Sequence, residues 1–595
     1  MRGSLLLAAL LTSAGLWAQL NYQDVAEAKG IDHWYISSLL GGGVSFYDFN
    51  QDGWDDITLA TAFGDPIEFY QNMGGHFEKI PPLVDTEDET KQILWVDFDN
   101  DGDLDLFVAT WDGLNRLYEQ TGEMEFTDIT LAAGLPSFNT RTYGANFGDY
   151  DRDGWLDLYF GDRIAFSPID NRHYLFRNNG NKTFTDVTLA TATQDTSGLQ
   201  FCSGFFDYNQ DDWPDIYTAH DRVGNPNVLL ENQADGTFRD VSAAANADLE
   251  IEAMSVTVGD YDRDGLFDVF CSNVPLGSKL LHNEGPDSTG QYQFAEVAEE
   301  SGVAYYGFGW GAIFFDADND ADQDLYISCS TVGSDVVPSE LFLNEADGTF
   351  SYANAGFVGD TVQSHNNAVG DFNADGYPDI MVINLYPFKS HLWVSPPQDN
   401  NWVKFDLEGV LSNRDGVGAR LECYANGQFQ QLYTQCGNGF MGQNTGVVTF
   451  GLGEAEIVDS LVVHWPSGHI DRLYELPANM QHSLLEGGST EGDIIPDPQT
   501  GLEPIIITQT DDISPIELKL QAYPSPTKDW LQMITEPGEA ERYQITNTKG
   551  QLLLQGQPAA SGQTMLDVRA LPTGLYYLTI YTTKGQQKST SWYKD

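Results

Sequence analysis

Seven stretches of nine residues in this chain share one acidic spacing, D-x-[DN]-x-D-x-x-x-D. They begin at Asp48 (DFNQDGWDD), Asp97 (DFDNDGDLD), Asp149 (DYDRDGWLD), Asp207 (DYNQDDWPD), Asp260 (DYDRDGLFD), Asp316 (DADNDADQD) and Asp371 (DFNADGYPD). The chemistry this spacing suits is the binding of a hard cation. Calcium takes six to eight oxygens at close range. Side chains at positions 1, 3 and 5, a main-chain carbonyl at 7 and a carboxylate at 9 can wrap one ion. Read this way, the ligand sets are Asp48, Asn50, Asp52, Trp54 and Asp56; Asp97, Asp99, Asp101, Asp103 and Asp105; Asp149, Asp151, Asp153, Trp155 and Asp157; Asp207, Asn209, Asp211, Trp213 and Asp215; Asp260, Asp262, Asp264, Leu266 and Asp268; Asp316, Asp318, Asp320, Asp322 and Asp324; and Asp371, Asn373, Asp375, Tyr377 and Asp379. Up to seven calcium ions are expected. Position 6 must turn the loop back through a positive φ, which glycine adopts without steric cost. It is glycine in five loops, but Asp212 and Ala321 stand there in two. Alanine tolerates that conformation poorly, so the Asp316 loop is expected to depart most from the shared geometry.

An EF-hand is excluded by the twelfth position and by the flanks. Position 12 is Leu59, Val108, Phe160, Thr218, Cys271, Ile327 and Val382, none of them a carboxylate. The flanking runs, such as Ile93–Val96 and Ile380–Ile383, are short, β-branched and bounded by turn residues, the pattern of strands. One Asp/Asn-Gly cluster alone would read as a surface turn. Seven at a fixed period of about 54 residues are a structural repeat. Each repeat continues with a third strand ending in a turn (Phe69–Asn72, Leu175–Asn178, Leu229–Asn232, Leu341–Asn344) and a fourth beginning with Phe (Phe184, Phe238). Four short antiparallel strands per repeat make one propeller blade. The predicted fold is all-β, a seven-bladed β-propeller over residues 19–400 followed by further β-rich modules. Residues 20–26 look like a fourth strand without a blade, whereas the seventh repeat stops after its third strand. The N-terminal strand is therefore expected to complete blade 7 and close the ring, which removes an exposed sheet edge.

The 595 residues carry 89 Asp+Glu against 28 Lys+Arg, a formal net charge of −61. Such a polyanion repels nucleic acid and anionic membrane surfaces. Its hydrophobic content of 41% argues against disorder. About a third of the acid lies in the seven loops. Residues 1–18 read as a secretory signal peptide, with Arg2, an apolar run from Leu5 to Leu11, and Ala18 before the cleavage point. No later run is long enough for a transmembrane helix. Five cysteines are too few for a disulfide scaffold. Cys202, Cys271 and Cys329 lie in apolar runs and read as buried thiols. Cys423 and Cys436 flank Asn426-Gly427 in one hairpin, where an oxidising compartment leaves a disulfide open, in a register that does not place them directly opposite each other.

The D-x-[DN]-x-D-G-x-x-D loops, preceded by strands such as Asn146-Phe147-Gly148, resemble the FG-GAP/VCBS repeats of integrin-α-like propellers. The resemblance implies calcium at the loops and a role in adhesion or in recognition of glycans or proteins. Residues 401–487 contain Asn401-Trp402-Val403, Ser412-Asn413-Arg414-Asp415-Gly416-Val417-Gly418-Ala419, Phe450-Gly451-Leu452-Gly453 and Val463-His464-Trp465-Pro466-Ser467-Gly468. This segment resembles the ASPIC/UnbV domain that follows such propellers in the cartilage-acidic-protein (CRTAC1-like) family. It departs from that family at Gly439–Gln443, where a Tyr and a Ser commonly precede the Gln. A Pro-rich, acidic linker occupies 488–515. Residues 516–595 carry Tyr523-Pro524-Ser525-Pro526 and Leu571-Pro572-Thr573-Gly574-Leu575-Tyr576-Tyr577 and resemble the type A C-terminal sorting domain of type IX secretion cargo, itself expected to be an Ig-like β-sandwich. That resemblance implies export by the type IX machinery to the outer cell surface or medium.

No HExxH, G-x-S-x-G, Walker or CxxC motif is present. His220, His282, His365 and His391 fall at comparable blade positions, open to two readings: a ligand site at the propeller mouth, or exposed loop histidines. Ser467, between His464 and His469, reads as a Pro-Ser-Gly turn rather than a nucleophile. Trp54, Trp155 and Trp213, all at loop position 7, read either as surface for a ligand or as packing between blades. Two functions therefore stand: a calcium-binding recognition module for an extracellular glycan or protein, and an enzyme (a polysaccharide hydrolase or lyase) working from the propeller mouth.

Overall fold

The computed structural model describes residues 20–488, apart from short stretches at 37–39, 164–172, 196–198, 331–336, 354 and 358–359, together with the strands between 520 and 594. The signal-peptide segment and the 488–515 linker lie outside the described residues, except Gly488. The chain divides into two compact units, Met1–Ile495 and Pro496–Asp595.

The first unit contains the seven predicted blades. Their innermost strands are Val44–Tyr47, Glu89–Val96, Thr140–Gly148, Gln200–Phe206, Thr257–Gly259, Gly309–Phe315 and Ser364–Gly370. In each blade the second strand begins at position 9 of the acidic loop, as in Asp56–Leu59 and Asp215–His220. Buried positions dominate both strands, because each blade is covered on its two faces by its neighbours. Helix is confined to single turns such as Thr188–Thr191 and Ala298–Ser301. Blade 7 is closed as expected from the sequence: Gln23–Asp24 pairs antiparallel with His391–Val394, Gln23 opposite Val394 and Asp24 opposite Trp393.

At five of the seven blade junctions one aromatic pair recurs. The residue at loop position 2 packs against the first Phe of the fourth strand in the next blade. The centroid separations are 5.8 Å for Phe98–Phe184, 5.9 Å for Tyr150–Phe238, 6.1 Å for Tyr208–Phe294, 5.6 Å for Tyr261–Phe350 and, across the closure, 5.8 Å for Phe372–Phe77. Each such contact contributes about 0.5–1.5 kcal/mol beyond area burial.

After blade 7 the chain forms a two-sheet sandwich. One sheet holds Asn401–Glu408 between Val448–Gly453 and Gln481–Leu485, and the other orders Gln428–Tyr433, Arg420–Ala425, Ile457–His464 and Ile470–Pro477. Its core is formed by Val403, Phe405, Leu421, Cys423, Phe450, Leu461, Val463 and Trp465. Asn426-Gly427 is the hairpin turn, and Cys423 pairs with Gln430 across it. Cys436 lies beyond this hairpin, outside the sandwich, so the two cysteines do not share an element. All five cysteines are buried free thiols. In the second unit, Leu520–Tyr523, Trp530–Thr535 and Gln563–Asp567 form one sheet and Ala540–Asn547, Leu552–Gly556, Gly574–Thr582 and Gln587–Lys594 the other.

Candidate functional site: the acidic loops and the filled channel

Six of the seven loops share one geometry, in which the position-1 carboxylate accepts the N–H groups of positions 5 and 6: Asp48 from Asp52 at 3.0 Å and Gly53 at 2.7 Å, Asp149 from Asp153 at 3.0 Å and Gly154 at 2.9 Å. In the Asp260 loop only the position-6 bond forms, from Gly265 at 3.1 Å, and Asp264 N turns to Asp262 at 3.2 Å. The Asp316 loop keeps the same bonds, from Asp320 at 3.0 Å and Ala321 at 2.9 Å, with Ala321 held at φ 81°. The expected departure does not occur, because the surrounding hydrogen bonds over-determine the turn. Position 4 also has positive φ in every loop, 54–61° at residues such as Gln51, Asn100 and Ala374. Side chains there are diverse, so this left no signal in the sequence.

The position-9 aspartates are buried in all seven blades. One oxygen of each accepts an N–H at the end of the third strand, as in Asn72 to Asp56 at 2.7 Å and Asn232 to Asp215 at 2.7 Å. In five blades that residue is Asn, the others having Gln120 and Ser395, and the Asn also reaches into the preceding blade. Asn178 Nδ2 donates to the Phe98 carbonyl at 2.8 Å, Asn232 to Tyr150 at 2.8 Å and Asn72 to Phe372 at 2.7 Å. The sequence marked these asparagines as turn residues, but they staple blade to blade at the loops.

The loops fit a cation. Asp105 Oδ2, Asp151 Oδ1, Asp260 Oδ1 and Asp268 Oδ2 are buried with no hydrogen-bond partner among the described residues. Ligand oxygens of Asp97, Asp99 and Asp105, and of Asp149, Asp151 and Asp157, converge within 4.8 Å of one another. Burial, reinforced by neighbouring carboxylates, pushes the acids up: Asp56 and Asp260 to about 8, Asp105 to about 9, Asp207 to about 7. Several acidic clusters of this protein could therefore hold metal ions. They are not equivalent. Lys182 Nζ lies 2.5 Å from Asp99, Arg177 lies 2.6 Å from Asp151 and 2.7 Å from Asp153, His282 lies 3.2 Å from Asp268, and Lys404 touches Asp371. The loops at Asp48, Asp207 and Asp316 have no basic ion pair among the described residues.

The sandwich sits on this loop face. Asp415 Oδ2 accepts the Asp97 N–H at 2.9 Å, Arg414 N donates to Asn100 Oδ1 at 2.9 Å, Arg152 Nε donates to the Pro466 carbonyl at 2.6 Å, and Asn400 Nδ2 donates to the Asp318 carbonyl at 2.9 Å. From the sandwich, residues 434–446 enter the axis of the propeller and meet the inner region of every blade. Gln443 is their anchor. Its Oε1 accepts Ser45 Oγ and Trp95 N, both at 2.8 Å, and its Nε2 donates to the Trp95 carbonyl at 2.7 Å. Gln92 Nε2 donates to the Gly442 carbonyl at 3.1 Å, Phe147 N to the Cys436 carbonyl at 3.1 Å and Gln435 Nε2 to the Phe205 carbonyl at 2.9 Å. Gly439 bridges Val256, and a Cβ on it would stand 2.7 Å from the Ala312 carbonyl. Thr445 N donates to the Val369 carbonyl at 3.0 Å. Phe440 and Met441 are buried with Tyr143, Phe201, Met254 and Trp310. Gly439–Gln443 thus lies within the segment that fills the channel.

The remaining sequence candidates fall into place. Trp155 covers Gly180, and the Arg152 guanidinium lies 5.2 Å from the Trp213 ring, so both tryptophans pack within the propeller. Trp54 is half-buried beside Gly74. His220 and His365 are buried, and His282 and His391 half-buried against acids. These four lie on three blades, His365 and His391 both on blade 7, and form neither a shared mouth site nor a set of exposed loop residues. Ser467 donates to Glu486, whose other oxygen also takes the N–H groups of Val410 and Leu411 at 2.6 Å, and Gly468 N closes the turn on the Trp465 carbonyl at 2.8 Å.

Comparison with known proteins agrees with this geometry. The model of the FG-GAP-like repeat matches residues 48–108, 97–160 and 207–271, that of ASPIC and UnbV matches 409–491, and that of the secretion system C-terminal sorting domain matches 521–591. The chain therefore carries FG-GAP-like repeats within its propeller, an ASPIC/UnbV segment and a secretion-sorting segment. It is similar to cartilage acidic protein 1 of Homo sapiens, 24% identical over 462 residues that cover 62% of this chain and 68% of the relative. The Mus musculus protein of that name is 26% identical over 460 residues, covering 62% and 70%. Among solved structures, a chain described as YCF48 bound to D1 peptide aligns with TM-score 0.37 and 8% identity over 62% of this chain and 96% of its own length. The FG-GAP propeller is a secreted or surface-attached protein, in keeping with its sorting domain, and no helix among its described residues is long and apolar enough to cross a membrane.

Proposed function

We propose that this secreted propeller is a calcium-stabilised recognition module, binding an extracellular glycan or protein through the face turned away from its sandwich. The calcium reading rests on the convergent, buried, unpartnered carboxylate oxygens of the loops. On binding, calcium would supply positive charge to those oxygens and tie the start of each second strand to its loop, in ligand sets from Asp48–Asp56 to Asp371–Asp379. The chain's own residues do the rest. The third-strand asparagines join adjacent loops, and the sandwich fixes the loop face.

The observation that carries the recognition reading is where exposed apolar side chains fall. Connections between second and third strands, and between one blade and the next, lie at the opposite end of the blades from the acidic loops. They carry Phe63, Phe138, Val223, Leu276, Tyr306 and Tyr386, all more than half exposed. Apolar surface clustered on one face marks an interaction site. The enzymatic alternative requires an accessible mouth, and residues 434–446 occupy the axis from the sandwich side.

The test is a glycan array and a panel of purified matrix proteins probed with calcium-loaded full-length protein, run beside a hydrolase and lyase panel. A ligand whose binding is lost in Phe63→Ser/Leu276→Ser/Tyr386→Ser, with melting unchanged, supports the reading. Unchanged binding by that variant, or turnover of a polymer, overturns it. Export by the type IX machinery is tested by fractionating a secretion mutant, in which the protein should remain inside the cell envelope.

A further inference from the structure

A second kind of site lies between blades 3 and 4, at the end of the strands remote from the acidic loops. His173 is the first residue of the strand His173–Asn178, and His220 the last of Asp215–His220. Asp195 belongs to the connection between the two blades. One ligand atom from each of the three lies within 4.8 Å of the others. Five residues of extended chain separate His220 from Asp215, about 17 Å, so this cluster is distinct from the loop of blade 4.

We propose that His173, Asp195 and His220 form a binding site for one divalent transition-metal ion, of which zinc is the probe. The argument begins with the His220 tautomer. Its Nδ1 stands 2.7 Å from the Pro226 carbonyl, which can only accept, so Nδ1 carries the proton. In the neutral ring Nε2 is then a lone pair, and it points at Asp195 Oδ2 from 2.9 Å. At that distance the pair shares one positive charge, either a proton on the contact or a metal ion held by both groups. A ring N–H held by a backbone carbonyl is also the outer-shell arrangement that orients metal-binding histidines. His173 Nδ1 lies 4.0 Å from the same carboxylate oxygen, and the two imidazole centroids are 5.4 Å apart. Tyr159 Oη, 2.9 Å from His173 Nδ1, can turn to Thr218 Oγ1 at 3.5 Å when that nitrogen takes an ion. Both histidines are fully buried, so the ligand geometry is held by packing.

Two imidazoles and one carboxylate suit zinc or another first-row transition ion, with a coordination position left over. Calcium prefers an all-oxygen shell, so the site is chemically separate from the loops. The experiment uses untagged full-length protein stripped of metal and returned to excess calcium. Zinc is then titrated against a chromophoric chelator, and cobalt(II) is added in parallel to read its visible d–d absorption. One tight equivalent is expected. It should weaken by at least about 10-fold in His173→Gln and His220→Gln, since loss of a direct ligand costs no less than loss of an outer-shell partner. The near-isosteric Asp195→Asn should show the same loss and serves where a histidine variant fails to fold. Asp262→Asn, in the Asp260 loop, should leave zinc uptake unchanged. Absence of a stoichiometric zinc site, or its retention in Asp195→Asn, would overturn the proposal and leave a buried imidazolium–carboxylate pair.

Discussion

Gln443 shows how much one side chain decides. Its amide pairs with both main-chain groups of Trp95 inside a filled channel. Gln443→Leu keeps most of the volume but strands a buried N–H and C=O, at about 1–3 kcal/mol each. Urea denaturation should show a loss of about 2–5 kcal/mol, and limited proteolysis should cut first in 434–446. Glycine at loop position 6 makes a second, graded test. Gly53 has φ 91° and open space around an added Cβ, whereas Gly376 has φ 87° and a Cβ there would overlap the Trp402 ring. Gly53→Ala should cost about 1–2 kcal/mol, from backbone conformation alone. Gly376→Ala should cost more, because it also pushes the sandwich off the loop of blade 7. Equal losses in the two variants would show that the sandwich is not docked on that loop.

Strand Gln23–Asp24 is short, yet it is the element that makes the sheet array a ring. Deleting residues 20–30 removes the fourth strand of blade 7 and bares an edge that can pair with another chain. A large fall in melting temperature with aggregation is expected by calorimetry and light scattering, and unchanged melting would refute closure. The loops should differ from one another as elements too. The Asp316 loop carries five aspartates and no ion pair among the described residues, Arg263 donating only to its Ala321 carbonyl at 3.1 Å, whereas Lys404 contacts Asp371 directly. Calcium titration should resolve tight and weak classes. Asp316→Asn should remove a tight equivalent, while Asp371→Asn should alter the tight class little.

Across the whole molecule, folding brings carboxylate charge together, and that repulsion governs how stability responds to pH. Asp56, Asp105, Asp207 and Asp260 rise from a usual value of 3.8 to about 8, 9, 7 and 8. A carboxyl whose folded value is raised stabilises the fold fully below about pH 4 and loses that contribution as pH climbs through the folded value. Calcium-free protein should therefore melt at progressively lower temperature from pH 5 to pH 9. Calcium should suppress the fall, adding about 0.4–1.4 kcal/mol per site at about 1 mM for sites of typical extracellular affinity. Thermal scans with calcium and with EGTA across this range check the sign. A calcium-free protein that gains stability with pH would contradict it.

The repeat, the blade count, the position-6 turn and the ring closure were all legible in the chain. Each depends on neighbours close in sequence or on a period that recurs seven times, and local sterics and metal-ligand spacing write themselves into residue type. The plug was not legible. Gly439-Phe440-Met441-Gly442 has no periodicity, and only packing against seven inner strands contributed from residues 44 to 370 gives its glycines a reason. The asparagine staples were visible as residues but not as links, since their acceptors lie 80 or more positions away, or 300 across the closure. His173 carries no sequence signal for the same reason: nothing near it in sequence is a ligand, and 47 residues of chain must fold before it meets His220. Short-range chemistry set the acidic loops and the strands that bear them. Long-range burial decided what fills the axis, which face stays open and which histidines meet.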